Sequence, residues 1–279
     1  MENDTLLNNT STRRMSKEEL CHLADNLFSQ AVDANSYRCV LKQYGKNVKS
    51  YKEEMECSMA FYNIIYRALA NSLVLLLSRI YDQNGNSLTI HNLLNGMKEM
   101  TVDDLAPQVR EDLDFCDGKF QHQLKPIEEG LYEKEVQEQQ RICEMFGYKY
   151  THTIISISLA EYVSLYQTRF RKLKKNPAIR NLIEQRNRII AHNDAVTNFD
   201  FKKITEDFPI SNDDVEFLLD FAIDCTQFVR TMLTGVHTIP EYVNIDDWEN
   251  SLELIRIGMK YKAAHLEDLV NEYFKESSS

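Results

Sequence analysis

The 279-residue chain is poor in the residues that interrupt helices, with eight glycines and five prolines. Such low usage argues against collagen-like, linker-rich and many-turned β architectures, and it favours long helices. Long hydrophobic runs are also missing, since the longest aliphatic stretch, residues 73–77, is far shorter than the roughly 20 residues that span a bilayer. The first residues lack the basic start and apolar core of a secretory signal. These features predict a cytoplasmic protein without a membrane partner.

Motifs that bind metals, disulfide partners or nucleotides are missing as well. The six cysteines are scattered, without a Cys-x-x-Cys pair, as expected of reduced thiols in a chain that is not exported. The sequence contains no Gly-x4-Gly-Lys loop, no Gly-x-Gly-x-x-Gly and no His-Glu-x-x-His. We therefore expect neither a metal ion nor a cofactor.

The net charge of −11 is unevenly distributed. Residues 200–279 hold 17 acidic against seven basic residues, whereas between Arg169 and His192 the single acid Glu184 stands against eight basic residues. Two interpretations fit this run: a solvated cationic loop between helices, or a local phosphate-binding patch on an acidic protein. On the second, the predicted RNA contacts are Arg169, Arg171, Lys172, Lys174, Lys175, Arg180 and Arg188.

Apolar spacing and capping residues predict an all-α helical bundle with one core. Period-2 alternation is found only over residues 153–157, which are too few to decide between a strand and a helix. Ser16 with Glu19 forms a capping box, and Asn176-Pro177 is typical of another helix start. The main helices are expected over about 16–34, 35–45, 48–81, 153–174, 177–192, 211–233 and 263–274, with a penultimate helix around Trp248. A further helical stretch from Thr101 to about 145 is expected to break into two or three pieces at Gly118 and Pro126. The expected domains are a disordered arm (1–15), the bundle (16–235) and acidic C-terminal helices packed on or flanking it (236–279).

The helix expected over residues 48–81 is apolar around most of its circumference, which predicts a central helix buried on several sides. One narrow polar stripe runs along it. The stripe is seen when successive residues are placed 100° apart around the helix axis. It either faces solvent or lines a polar cleft in the bundle. Its members are Asn63, Arg67, Asn71, Ser78 and Asp82.

The helix that follows Pro177 has Arg186 within its apolar stripe. A guanidinium cannot neutralise itself, so an inward-facing arginine needs anions or a wet cavity. Asn187 follows it and His192 lies six positions later. Asn193 and Asp194 close the segment, and together with Arg67, Asn71 and Asp82 they are candidates for lining a cleft.

Arginine, asparagine and histidine are the groups that RNA cleavage without a metal needs. His192 can take the proton of the 2′-hydroxyl, and Arg186 can stabilise the charge that develops on the phosphate. Asn187 can orient a phosphate oxygen or the histidine. In an ideal α-helix Arg186 and His192 are about 240° apart and Arg188 and His192 about 40°, so Arg188 is a competing partner. A histidine near a helix C-terminus also simply complements the helix dipole.

Residues 186–194 resemble the Arg-polar-x4–6-His motif of HEPN domains, here Arg-Asn-x4-His. Residues 78–82 and 87–90 resemble the AbiU group of abortive-infection proteins, and the resemblance covers about residues 15–235. It implies a helical bundle in the prokaryotic cytoplasm. It also implies a metal-independent endoribonuclease of phage defence or toxin–antitoxin systems, with Arg186, Asn187 and His192 as the catalytic residues. Since many HEPN domains are non-catalytic, the alternative is a helical module that binds RNA or a partner protein.

We expect a homodimer, because a second copy would supply a second histidine and join two basic runs in one groove. The resemblance points the same way, since HEPN sites are usually built at a homodimer interface. The acidic C-terminal region would then lie away from the groove, or alternatively fold back and shield it until a partner displaces it. An antitoxin or another defence-system protein is a further expected partner.

Overall fold

The computed structural model describes residues 14–82, 88–123, 140, 143, 154–191, 206–240, 242–266, 268 and 270. Within these ranges the chain is mostly helical, which confirms the predicted fold class, and a small sheet is added. The helices are α1 (Lys17–Ser50), α2 (Lys52–Glu56), α3 (Met59–Ile80), α4 (Ile90–Met97), α5 (Pro107–Phe115), α6 (Leu159–Leu173), α7 (Pro177–Gln185), α8 (Asn212–Thr234) and α9 (Trp248–Ala264). Strands β1 (Phe120–Gln123) and β2 (Ile154–Ile157) pair antiparallel.

Helix α1 begins where the capping box predicts. The amide of Glu19 donates to the Ser16 hydroxyl at 3.1 Å, and the Ser16 amide donates to the Glu19 carboxylate at 2.8 Å. The predicted break at residues 35–36 is wrong, because both polar side chains bond within the helix: Ser36 donates to the Val32 carbonyl, and Asn35 accepts from Arg38.

The single helix predicted over residues 48–81 is three pieces: the end of α1, α2 and α3. The first break lies at Tyr51, whose backbone (φ −125°, ψ 36°) leaves the helical region. Burial on several sides is also wrong for the first half of α3, where Met59, Phe61 and Ile64 are more than half exposed. Only the end of α3, including Leu77, is fully buried.

By length and composition alone, α3 is the one helix in the described residues that is long and apolar enough to cross a membrane. One such helix is weak evidence for a membrane protein, because core helices and signal sequences meet the same criterion. The predicted absence of a membrane partner therefore stays a prediction.

The helical stretch that begins after Thr101 is interrupted at Gly118, which confirms the break expected there, whereas Pro126 lies outside the described residues. A 3₁₀ turn (Val102–Asp104) and α5 are followed by Asp117 and Gly118, both with positive φ, and the chain then enters β1. Two consecutive left-handed residues cannot continue a right-handed helix, so the direction changes here. Strand β2 lies within residues 153–157, the one segment with period-2 alternation.

The chain divides into two compact units, one with residues 1–31 and 78–239 and the other with residues 32–77 and 240–279. In this division residues 32–77 group with the C-terminal region, through contacts that only the tertiary structure shows. The expected bundle over 16–235 and the expected C-terminal helices over 236–279 stay predictions, and most of the expected arm (1–15) lies outside the described residues.

The first unit is held by an apolar core with aromatic rings between α6 and α8. Tyr162 stacks on Phe228 (4.8 Å between ring centroids), and Phe170 stacks on Phe221 (5.9 Å). The hydroxyl of Tyr81, at the end of α3, donates to a main-chain carbonyl of α8 at 2.5 Å. Burial raises the pKa of Tyr81 well above its ordinary value, so the hydroxyl stays a neutral donor.

The second unit is held by α9 against α1 and α2. The Arg256 guanidinium pairs with the buried Glu54 carboxylate and lies over the Tyr51 ring at 4.1 Å. The indole of Trp248 donates to the Gln43 side chain at 2.7 Å. These contacts join residues about 200 positions apart in sequence and explain why the C-terminal region belongs with residues 32–77.

Candidate active site

Helix α7 positions the motif, and its start follows the predicted cap. The Asn176 side chain accepts a hydrogen bond from the Ala178 amide at 2.9 Å, with Pro177 in the first turn. The apolar face turns inward, so that Ile179 and Leu182 are almost fully buried. This burial fixes the rotation of α7 and hence the direction of the residues that follow it.

Two amide side chains tie α7 to the segment before α8. The Asn181 side chain donates to the Pro209 carbonyl at 2.8 Å, and that of Gln185 donates to the Phe208 carbonyl at 2.6 Å. The two donors are four residues apart and therefore lie on one side of α7. They satisfy two carbonyls of a non-helical segment and brace the helix just before the motif begins.

Residues Arg186–Ala191 form a π-helical turn. Such turns are rare, and they are frequent at functional sites. The angles of about 240° and 40° that separate Arg186 and Arg188 from His192 assume an ideal α-helix, and that assumption does not hold here. His192, Asn193 and Asp194 lie outside the described residues, so their predicted roles stay predictions.

Arg186 lies at the centre of a hydrogen-bonded group. Its Nη1 donates to Asp82 Oδ2 at 3.1 Å, while Nε and Nη2 donate to Asn187 Oδ1 at 3.1 and 3.0 Å. The Arg186 and Asp82 side chains are only 20% and 16% exposed. The guanidinium is therefore oriented by a charged and a neutral partner, as an arginine on an apolar face requires.

Asp82 owes its position to the anchored end of α3. The preceding Tyr81 is buried and hydrogen-bonded to α8, and Ser78 is fully buried one turn earlier. Asp82, at the C-terminal end of the polar stripe, lines the pocket around Arg186. Arg67 and Asn71 are exposed, as the solvent-facing alternative requires, and neither lines the pocket around Arg186.

An open pocket of about 450 Å³ surrounds the group. Its cationic lining is Lys174, Arg180 and Arg186, and its carboxylates are Asp82 and Glu184. Asn187 and two isoleucines complete the wall. Three cations against two carboxylates leave a small positive balance, and a cavity of this kind suits a phosphate group.

The basic run divides into residues with different roles. Lys174 and Arg180 line the pocket, while Arg171, Lys172 and Lys175 are exposed to solvent. The Arg169 side chain is partly exposed, and its guanidinium pairs with Asp224 at 3.5 Å and lies over the Phe221 ring. The predicted RNA contact through Arg169 stays a prediction.

Arg188 is not among the residues that line the pocket. Its Nε lies 3.4 Å from Glu184 Oε2, and its guanidinium lies over the Phe208 ring at 4.7 Å. Glu184, which the sequence reasoning did not select, lines the pocket as well and is the acid four residues before Arg188 and four after Arg180. That spacing is the signal that identifies it.

A histidine, His91, lies beside Lys174. His91 of α4 stacks against the Phe170 ring at 6.2 Å, and the Lys174 ammonium lies over the same ring at 4.9 Å. Burial, together with Lys174 and Lys98, lowers the pKa of His91 below its usual value. In the part of the chain that the structure describes, no three His, Cys, Asp or Glu side chains are grouped as metal ligands.

The sequence was compared with protein families, curated proteins and solved structures. The AbiU2 model of HEPN domains matches residues 17–145 and 156–250, most of the chain. The searches of curated proteins and of solved structures found no match. The match spans both compact units and includes the Arg186 pocket, which agrees with the resemblance that residues 186–194 carry. The chain therefore belongs to the HEPN AbiU2 family.

Proposed function

We propose that the protein is a metal-independent endoribonuclease that acts in phage defence or as the toxin of a toxin–antitoxin system. The observation that supports this most directly is the oriented, largely buried Arg186 guanidinium in a cationic pocket at the start of the Arg-Asn-x4-His motif. Membership of the AbiU2 family points to abortive-infection defence.

The proposed reaction is a transesterification within the RNA. His192 takes the proton of a 2′-hydroxyl, the 2′-oxygen attacks the adjacent phosphorus, and the bond to the 5′-oxygen breaks. The 5′-oxygen leaves with a proton donated by the second histidine that the predicted homodimer supplies, so the products are a 2′,3′-cyclic phosphate and a 5′-hydroxyl end. Arg186 stabilises the extra negative charge on the phosphate, and Asn187 keeps the guanidinium in position.

The hydrogen-bond count of Arg186 leaves room for a phosphate. A guanidinium has five N–H groups, and the contacts with Asp82 and Asn187 use three of them. No contact between described residues uses the other two N–H groups, which can therefore bind phosphate oxygens. Lys174 and Arg180 would hold the flanking phosphates, and the exposed Arg171, Lys172 and Lys175 would guide the strand towards the pocket.

The test is cleavage of RNA by the purified protein in excess EDTA. We expect His192→Ala and Arg186→Ala to lower the rate at least about 100-fold, the loss typical of a missing acid–base or charge-stabilising group. Arg188→Ala is the matched control, because Arg188 belongs to the same π-helical turn but pairs with Glu184. Sequencing of RNA ends after brief expression of wild type and His192→Ala would identify the substrate.

Three results would contradict the mechanism. Cleavage that requires an added divalent metal, or that His192→Ala leaves undiminished, would exclude it. If Arg188→Ala abolishes cleavage and Arg186→Ala does not, then Arg188 is the partner of His192.

A non-catalytic module that binds RNA or protein remains the second candidate, because the Asp82 carboxylate already occupies one side of the guanidinium. This candidate predicts binding without turnover. It also predicts that Arg186→Ala and His192→Ala do not relieve any growth inhibition on expression. The predicted homodimer belongs to the first candidate, and a monomeric mass by light scattering in a fully active sample would exclude it.

A further inference from the structure

A second cavity, of about 290 Å³, lies within the compact unit formed by residues 32–77 and 240–279. Helices α1, α3 and α9 each contribute to its wall. Of its ten lining side chains, nine are aliphatic or aromatic and the tenth is Ser251. This cavity shares no lining residue with the Arg186 pocket, and the proposed nuclease reaction does not use it.

The aromatic walls of the cavity are held by defined contacts. The rings of Tyr44 and Tyr66 lie 5.1 Å apart, and the rings of Phe61 and Tyr62 meet edge to face at 5.5 Å. Trp248 is fixed by its hydrogen bond to the Gln43 side chain, which is not itself in the lining. The cavity is therefore built by rings whose positions are set by neighbours on three helices.

The chemistry of the lining specifies an uncharged ligand. None of the ten side chains carries a charge, and a charged group enclosed here would lose hydration without gaining an ion pair. Burial raises the pKa of the Tyr62 hydroxyl, which keeps it neutral. The indole N–H of Trp248 is already bonded to Gln43, but the lining also includes three tyrosines and Ser251, whose hydroxyls can bond to one polar atom of a ligand.

The volume of the cavity limits the size of the ligand. A dry apolar cavity of about 150 Å³ holds a single benzene ring, so this cavity accommodates about two aromatic rings. Phe61 and Tyr66 are 58% and 45% exposed, so the mouth of the cavity leaves aromatic surface in contact with water. A ligand that covers these rings removes that surface from water, which is favourable.

We propose that this cavity is a binding site for an uncharged aromatic molecule of about two rings that carries one hydrogen-bonding group.

Trp248 makes the proposal directly testable, because it is the only tryptophan in the sequence and lines the cavity. The neutral probe is 5-dimethylaminonaphthalene-1-sulfonamide, which has two rings, and the charged comparison of the same size is 5-dimethylaminonaphthalene-1-sulfonate. We expect the neutral probe to quench Trp248 by energy transfer, saturably, with one site per chain. It should bind at least about tenfold more tightly than the sulfonate, because the sulfonate would have to lose hydration.

Two variants on α9 locate the site. Ser251 and Asn250 are adjacent and exposed, but only Ser251 lines the cavity. We expect Ser251→Glu to weaken binding of the neutral probe at least about tenfold, since it puts a carboxylate at the cavity, and Asn250→Glu to change it less than about twofold. Circular dichroism of both variants checks that the fold is retained.

Equal affinity for the two probes in the wild-type protein would overturn the proposal, because it would indicate general adsorption to exposed apolar surface. Equal weakening by the two glutamate variants would overturn it as well. Light scattering completes the test. If the wild type is a dimer that does not bind the neutral probe, and Ser251→Glu is a monomer, a second copy of the chain covers this cavity instead.

Discussion

The ion pair between Arg186 and Asp82 is the best-defined contact of the candidate site at the scale of single residues. It is mostly buried, whereas the pair between Arg188 and Glu184 is on the surface. We expect Asp82→Ala to lower the free energy of unfolding by about 1.5–3 kcal/mol, because it leaves a largely buried guanidinium without its anion. Glu184→Ala should cost less than about 0.5 kcal/mol.

Urea unfolding of the two variants beside the wild type measures this difference. A similar small loss for both would contradict it and would mean that Arg186 is as well solvated as Arg188. A third variant, Asp82→Asn, shows whether the charge of Asp82 or its position matters, because it keeps a hydrogen-bond acceptor at nearly the same place while removing the charge.

His91 provides a test of the electrostatics beside the pocket. We expect it to titrate below the ordinary histidine value of about 6.5, because burial and the neighbouring lysines disfavour the imidazolium. Lys174→Met should raise its pKa part of the way back. Two-dimensional NMR of the histidine ring signals at a series of pH values measures both shifts.

The lowered pKa of His91 also determines how the stability of the folded protein changes with pH. The folded protein binds the His91 proton less readily than the unfolded chain, so acidification below about pH 6.5 favours unfolding through this residue. The contribution is fully present above that pH. If Lys174→Met leaves the His91 titration unchanged, Lys174 does not lie over the Phe170 ring beside it.

At the scale of secondary-structure elements, two glycines test how helices end, because one ends a helix and the other lies inside one. Gly235 ends α8 in the left-handed region (φ 72°), whereas Gly258 lies inside α9 with open space around it. We expect Gly235→Ala to lower the free energy of unfolding by about 1–2 kcal/mol, since a side chain is strained at that φ. Gly258→Ala should raise it by about 0.5–1 kcal/mol through higher helix propensity.

Thermal unfolding followed by circular dichroism compares the two variants with the wild type. Opposite shifts of the midpoint are the expected result. A stabilising effect of Gly235→Ala would mean that α8 continues past residue 235 in solution.

Helix starts were predictable from the sequence because capping is local. Ser16, Asn176 and Ser211 each accept from an amide two or three residues further on, as their spacing indicates. Helix ends and breaks were predicted less well. Asn35-Ser36 suggested a break that internal hydrogen bonds remove, and nothing in the sequence marks Tyr51 as the residue that ends α1.

At the scale of the whole molecule, the grouping of residues 32–77 with 240–279 predicts what a C-terminal deletion does. Removing residues 240–279 takes away α9, with the Arg256–Glu54 pair and the Trp248–Gln43 hydrogen bond. We expect faster amide hydrogen exchange throughout residues 32–77, while α4, α6 and α8 keep their protection. Mass spectrometry of exchanged peptides from the full chain and the deletion variant measures this.

Unchanged protection of residues 32–77 after the deletion would support the boundary expected from the sequence, with a bundle over 16–235 that stands without its C-terminal helices. Loss of protection in α4, α6 and α8 as well would show that the two compact units unfold together.

The sequence by itself determined the helical fold class, the main helix starts and the inward position of Arg186, because these depend on spacings of three or four residues. The tertiary structure alone decided that Arg186 meets Asp82, 104 positions away, and that Arg169 pairs with Asp224. It also decided which segments form each compact unit. A helical pattern determines which side of each helix is apolar, whereas the partner of a long charged side chain depends on which helices pack together.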